Sequence, residues 1–339
     1  MMEKIGLYVL PKTQQPWRGR SYAIPCSILA LYVFCGFLYV PSFPKAENLI
    51  SILFSCAVAL PVVLGMQVLL ILGYFDLSVG AIASFIGMAF ALSLSEQGSF
   101  VFATATAFLC ALAIGTANGL LVTKLSINPL ISTLAMMGIL RSLSLSMNGG
   151  RIVASLPQAL SAIVSSRVAN IPVLVLLGIF LIIVLEFCFR HVVPFRRLYA
   201  VGARPNAANH AGIHVDSTIV AGYIAIALGS AATGLIQTSR TLSASPLIFD
   251  TLGLEMIAAC IIGGSTLKGG QGTMIGATLG LLVVTSTRNL VVLLDISVFW
   301  KDGSLGLLLL GIMSLDYFKS KLAYESVSAI GSDSQGGER

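Results

Sequence analysis

The stretch RLYAVGARPNAANHAGIHVD, residues 197–216, lies between two apolar segments that are each about long enough to cross a membrane. It is too polar to sit in lipid. Its alanines and basic residues favour a helix over a plain linker. The pattern therefore predicts a membrane protein in which a surface helix between two spans serves as a docking element for another protein.

Composition supports a membrane protein. Of the 339 residues, 56% are apolar and 10% charged, and the mean hydropathy is +0.93. Such a chain has too little polar surface to cover a soluble globule. Because the apolar runs approach the roughly 20 residues of a helical span, we expect an all-α polytopic bundle rather than a barrel.

The apolar runs predict about ten transmembrane helices, with a range of eight to ten. They lie near 22–40, 49–72, 79–95, 100–122, 128–147, 171–189, 217–239, 252–263, 273–294 and 303–316. We divide the chain into a cytoplasmic segment 1–21, a transmembrane domain 22–318 with the polar cytoplasmic loop 190–216, and a disordered cytoplasmic tail 319–339. With both termini inside, 13 of the 20 Lys and Arg residues fall on the cytoplasmic side, as the positive-inside rule requires.

Two glycine-rich polar interruptions break the hydrophobic sequence. The first, 72–89, places Asp76 and Ser78 between glycines, and the second, 259–280, does the same with Ser265, Thr266 and Lys268. Irregular backbone persists in a bilayer only where protein or a water-filled cavity satisfies its amides. We expect turns or broken helices facing a central path, with simple helix-packing glycines as the alternative. The glycines concerned are Gly73, Gly80, Gly263, Gly264, Gly269, Gly270 and Gly272.

Ionisable residues in spans are costly and are candidates for function. Asp76 also suits a helix cap, and Glu186 is placed to pair with Arg190 four residues on. Arg141 and Glu255 are further candidates, each with a structural ion pair as the simpler explanation.

Catalytic and cofactor signatures are not found in the sequence. The phosphate-binding pattern G-x-x-x-x-G-K-[ST] is absent, as are a metal-ligand spacing and a Ser/His/Asp set. We therefore expect a transporter subunit that binds no metal and no nucleic acid and does not hydrolyse ATP.

Five ordered motifs over about residues 49–316 resemble the permease subunits of bacterial ATP-binding-cassette (ABC) sugar importers of the ribose, xylose and galactoside type. They are GYFDLSVG at 73–80, NGLLV at 118–122, PLISTLAMM at 129–137, the segment 201–213, and SASP at 243–246 followed by 255–272. The chain departs from the family pattern at Tyr74, Phe75, Arg204, Asn206, Asn209, Glu255, Lys268 and Gln271. Changes in the docking loop put the identity of the ATPase partner in doubt.

The resemblance implies a subunit of the bacterial inner membrane that moves a ribose-like or related sugar. Its implied partners are an ABC ATPase that holds ATP and Mg, a second permease copy or paralogue, an extracytoplasmic solute-binding protein, and membrane lipid. Xylose, galactosides, a furanose-like signalling molecule and nucleosides remain open as substrates.

The resemblance also assigns roles to residues. The ATPase would contact Arg204, Pro205, Asn206, Ala207, Ala208, Asn209, Gly212 and Ile213, where Pro205 starts a short helix, 206–211 form its exposed face and Gly212 ends it. Asp76, Ser78, Asn118 and Glu255 would line the translocation path. Two alternatives remain: an ion-coupled secondary transporter that uses Asp76 or Glu255, and a non-transporting scaffold whose loop recruits a signalling protein.

Overall fold

The computed structural model describes residues 23–297 together with residues 300, 303, 306, 307 and 310. Within these residues the chain forms helices and one short hairpin. The helices are α1 (Ala23–Tyr39), α2 (Ala46–Leu72), α3 (Val79–Gln97), α4 (Phe100–Thr123), α5 (Pro129–Met147), α6 (Gln158–Val164), α7 (Val173–His191), α8 (Val193–Ala203), α9 (Pro205–His210), α10 (Val215–Thr241), α11 (Leu252–Ile262) and α12 (Met274–Leu293). The antiparallel hairpin pairs β1 (Arg167–Val168) with β2 (Ile171–Pro172).

Seven of the described helices are long and apolar enough to cross a membrane: α2, α3, α4, α5, α7, α10 and α12. The all-α bundle is therefore confirmed. The eighth expected span, 252–263, agrees with α11 to within one residue, but its 11 residues reach only about 16 Å, too short to cross a membrane as a straight helix. The segments 1–21, 319–339 and nearly all of the tenth expected span lie outside the described residues.

The antiparallel pair α2 and α10 forms the centre of the bundle. Gly65 of α2 lies against Ile226 of α10, and the Thr233 hydroxyl of α10 donates to the Val58 carbonyl of α2 at 2.9 Å. Helices α3 and α4 also pack on α10, and α12 packs on α2 and α11. Small residues permit this close approach. A side chain at Gly229, for example, would overlap the Pro61 carbonyl.

The two ends of the bundle differ in charge. We call the end where α2 and α4 finish and α10 begins the basic end, and the opposite end the distal end. The basic residues at the basic end are Lys124, Arg190, Arg196, Arg197, Arg204 and Lys268. The polar loop 190–216 is therefore an ordered cap on the basic end, built from α8 and α9.

Outward faces of the peripheral helices are apolar. In α7, for instance, Leu177, Phe180 and Ile183 are each exposed. Large exposed apolar surfaces are typical of proteins that contact lipid or another subunit.

Candidate coupling site

Helix α9 projects from the basic end as an exposed, sharply bounded turn. Pro205 occupies its first turn, as predicted. At its other end the Gly212 amide donates to the Asn209 carbonyl at 2.9 Å, and the Ile213 amide donates to the Ala208 carbonyl at 3.1 Å. These two bonds form a Schellman cap, which requires the left-handed φ of +80° found at Gly212. The sequence therefore located both ends of this helix.

One residue of the expected docking face does not point outward. Ala208 is only 4% exposed and belongs to the core cluster, whereas Arg204 to Ala207 and Asn209 to Gly212 are exposed. A six-residue helix lying on a surface must bury one side, and the small alanine lets it lie close. Ala208 therefore anchors α9 to the bundle, which corrects its place on the exposed face.

Helix α8 fastens this element to the end of α2. Gly202 is buried so tightly that an added side chain would overlap the Ile71 carbonyl oxygen. The same oxygen accepts a hydrogen bond from the Gly270 amide at 2.8 Å. Thus α8, the end of α2 and the second glycine-rich interruption meet at one point.

A second contact joins α8 to the same interruption. The Tyr199 hydroxyl donates to the Gly272 carbonyl at 2.8 Å, and the Tyr199 ring lies edge-on to Phe189 of α7. Beside them, Gly73 of the first interruption lies against Lys268 and Gly269. The structure therefore brings both glycine-rich interruptions together under α8.

The glycines of the interruptions divide into two groups. Positive φ angles occur at Gly73, Gly264, Gly269, Gly270 and Gly272, whereas Gly80 and Gly263 instead allow close packing on Phe249 and Gly276. Both expected roles, turns and helix packing, are therefore present. Lys268 is exposed beside these turns.

Asp76, Ser78 and Asn118 form one buried cluster. The Asp76 carboxylate accepts from the Ser78 amide at 2.7 Å, from the Ser78 hydroxyl at 2.5 Å and from the Asn118 amide group at 3.0 Å. Each of the three residues has no exposed surface. The cluster ties the first interruption to α4, while the Tyr223 hydroxyl of α10 donates to the Phe75 carbonyl at 3.3 Å.

The charge state of Asp76 is under opposing influences. Burial raises the pKa of its carboxyl group, and the hydrogen bonds from Ser78 and Asn118 act to lower it. All three hydrogen bonds to the Asp76 carboxyl group come from donors, which is the arrangement that suits a carboxylate. Asp76 therefore functions in the structure as an acceptor that organises the interruption.

Glu255 is not part of this cluster. It lies near the start of α11, pairs with Arg288 of α12 and accepts from the Thr251 hydroxyl at 2.6 Å. The four residues expected to line the translocation path therefore lie at two separate sites. Asp76, Ser78 and Asn118 are buried inside the bundle, and Glu255 lines a cavity toward the distal end.

The two other charged residues singled out from the sequence, Arg141 and Glu186, are paired, as the simpler explanation predicts. Arg141 lies 3.2 Å from Asp250, and Arg190 lies 2.6 Å from Glu186. Glu186 has a further role that the sequence did not reveal, because its second oxygen accepts from the Met274 amide at 2.9 Å. A carboxylate at a helix N-terminus satisfies otherwise unpaired amides, so α7 caps α12.

Three contributors to this site were missed from the sequence: Gln67, Tyr199 and Gly202. Gln67 accepts from the Ser265 hydroxyl at 2.6 Å inside the bundle. A lone glutamine in a long apolar run was the available signal, since a buried amide needs partners. Gly202 lies in the matched segment 201–213, but neither that segment nor the sequence around Tyr199 assigned these two residues a packing role. Within residues 23–297 no three potential metal ligands lie together, and the expectation that this chain binds no cofactor stays a prediction.

The family model for the branched-chain amino acid transport system / permease component matches residues 48–313. The chain therefore belongs to this family. It is a multi-pass membrane subunit of a transporter and not an enzyme.

Curated relatives agree with this class. The probable ABC transporter permease protein y4mJ of Sinorhizobium fredii (strain NBRC 101917 / NGR234) is 33% identical over 297 residues, which cover 87% of this chain and 89% of the relative. The autoinducer 2 import system permease protein LsrC of Enterobacter sp. (strain 638) is 28% identical, covering 88% and 87%. The L-arabinose transport system permease protein AraH of Escherichia coli (strain K12) is 29% identical, covering 89% and 92%. The predicted resemblance to sugar importer permeases is thus confirmed. No solved structure gave a significant match.

Proposed function

We propose that this chain is the translocating subunit of a bacterial ABC importer that carries a monosaccharide, ribose-like or related, across the inner membrane. A separate ATPase chain supplies the energy. The similarity to permeases named for L-arabinose and autoinducer 2 import supports a small hydroxylated solute, and it does not favour ribose over related sugars.

The observation that carries the proposal is the connection from α9 to both interruptions. The exposed part of α9 provides a contact surface for the ATPase, and the buried Ala208 fixes that surface to the bundle. Movement of α9 would displace α8. Helix α8 is in close contact with Ile71, Gly269 and Gly270, with no room for an added side chain. Well-packed elements transmit displacement because they compress little.

The proposed partners can be assigned to the two ends and the outer faces of the bundle. The ATPase binds at the basic end, which faces the cytoplasm. The solute-binding protein delivers the sugar at the distal end. A second copy or a paralogue packs against the exposed apolar faces, and ATP with Mg is held by the ATPase.

Ion-coupled transport is the weaker candidate. A carboxylate that couples transport to an ion must exchange its proton or ion during the cycle. Asp76, however, is buried and accepts three hydrogen bonds, and Glu255 is paired with Arg288. Both carboxylates are bound by other side chains of the protein, which favours the ATP-driven cycle over ion coupling.

The test is uptake of a labelled sugar panel by proteoliposomes that hold this chain with its neighbouring ATPase and binding protein. We expect uptake only when all components and internal ATP are present. Uptake by this chain alone, driven by a proton or sodium gradient, would overturn the proposal, and partner binding without flux would indicate the scaffold alternative.

A further inference from the structure

A cavity of about 420 Å³ opens in the distal half of the bundle, between α2, α10, α11 and α12. Its volume is in the range of small-molecule binding sites. The buried Asp76 cluster does not line it. Half of the twenty residues that line it are polar, which is unusual for the interior of a membrane helix bundle.

Most polar groups on the cavity wall are already occupied by other parts of the protein. The Thr233 hydroxyl donates to the Val58 carbonyl, and the Thr285 hydroxyl donates to the Leu281 carbonyl. Glu255 is held by Arg288 and Thr251. These groups shape the wall and leave little hydrogen-bonding capacity for a ligand.

Four polar side chains on the cavity wall remain available to a ligand. Ser51 and Ser55 lie one turn apart on α2, and Gln237 and Arg240 lie about one turn apart on α10, so that two helices present paired polar groups to the same space. Within the described residues none of these four side chains has a hydrogen bond or an ion pair. The Arg240 guanidinium lies over the Phe54 ring at 4.7 Å, a contact that leaves its N–H groups free.

The charge of the cavity also points to a ligand class. Glu255 and Arg288 neutralise each other, and Arg240 is the charge on the lining that has no ion pair with any described residue. Guanidinium, amide and hydroxyl groups together offer mainly donors, and they complement a solute rich in oxygen acceptors.

We propose that this cavity is a solute-binding site for a hydroxyl-rich, sugar-like molecule, held by Ser51, Ser55, Gln237 and Arg240. The identity of the solute rests on the proposed function, while the existence of the site rests on the geometry. Arg240 accommodates the ring and hydroxyl oxygens of a neutral sugar and would favour the carboxylate of a sugar acid.

The first experiment measures binding without the ATPase. Purified full-length chain in nanodiscs carries Gln237→Cys, or Ser165→Cys as the control at an exposed distal position outside the cavity. Labelling by a thiol reagent is followed by mass spectrometry of the peptide that contains each new cysteine. We expect millimolar D-ribose, L-arabinose or a sugar acid to slow labelling at position 237 at least threefold and to leave position 165 unchanged. Unchanged labelling at position 237 with every compound in the panel would overturn the site.

The second experiment measures uptake by the complete importer. Arg240→Gln and Gln237→Leu should each lower uptake about tenfold while ATP hydrolysis continues, whereas Gly138→Ala, inside α5 and away from the cavity, should leave uptake unchanged. Normal uptake by both cavity variants would contradict the proposal. Protection at position 237 without any ATP-driven uptake by the unmodified chain would instead retain the site and reject the importer.

Discussion

Gly202 of α8 packs so closely on Ile71 of α2 that the Ile71 carbonyl oxygen occupies the space of a side chain. Because backbone cannot move aside as a flexible side chain does, α8 and α2 have one way of fitting together. The Gly270 amide shares that oxygen, so the contact also fixes the second interruption.

Gly202→Ala should therefore separate α8 from α2 and uncouple transport. We expect uptake by the complete importer to fall at least tenfold, with ATP hydrolysis no longer stimulated by the binding protein. Gly138→Ala is the matched control, since Gly138 lies inside α5 with open space around it. It should leave uptake unchanged and add at most about 1 kcal/mol of stability. Equal uptake by the two variants would show that the contact is dispensable.

The Asp76 cluster predicts a difference between two substitutions. Asp76→Asn replaces an acceptor oxygen with an amide that meets a donor, whereas Ser78→Ala removes one donor and leaves Asp76 bound by Asn118. An unsatisfied buried polar group costs about 1–3 kcal/mol. We expect a larger loss of thermal stability in detergent for Asp76→Asn than for Ser78→Ala. The reverse order would mean that Asp76 is not primarily an acceptor for buried donors.

The cap that Glu186 forms on α12 gives a stability prediction. Glu186→Ala leaves the Met274 and Ile275 amides and Arg190 without their shared acceptor, and we expect a loss of about 1–3 kcal/mol. Glu186→Gln keeps an acceptor and should lose less. Lys124→Gln breaks an exposed pair with Asp216 and should cost below about 1 kcal/mol. Unfolding of each variant in detergent measures these differences, and a Glu186→Ala protein as stable as Lys124→Gln would contradict the cap.

The sequence predicted those parts of the fold that depend on residues close together in the chain. Apolar runs located the long helices, while Pro205 and Gly212 located the ends of α9. Proline fixes a φ that suits the start of a helix, and glycine permits the left-handed φ that ends it. Glu186 and Arg190 were predictable as a pair because four residues form about one helical turn.

The missed features depend on contacts between distant segments. Nothing local distinguishes Gly202 from a glycine in open space, and the acceptor for Tyr199 lies 73 residues away. The burial of Ala208 likewise follows from how α9 lies on the bundle. The bounds of α11 were predicted to within one residue, because the glycines at 263 and 264 end the apolar run.

The exposed face of α9 is the most direct place to test the coupling of this chain to an ATPase. Ala207 is exposed and its neighbour Ala208 is buried, so Ala207→Asp changes the docking surface, whereas Ala208→Asp also disturbs the packing of α9. Ala154→Asp, at an exposed position near the distal end, is the control.

The decisive measurement is ATP-driven sugar uptake by the complete importer carrying Ala207→Asp, with the amount of ATPase retained on the purified chain determined in parallel. We predict that the variant inserts in the membrane at the normal level, loses the ATPase and transports no sugar, while Ala154→Asp retains the ATPase as the unmodified chain does. Normal uptake and normal ATPase retention by Ala207→Asp would contradict the role of α9 as the docking element.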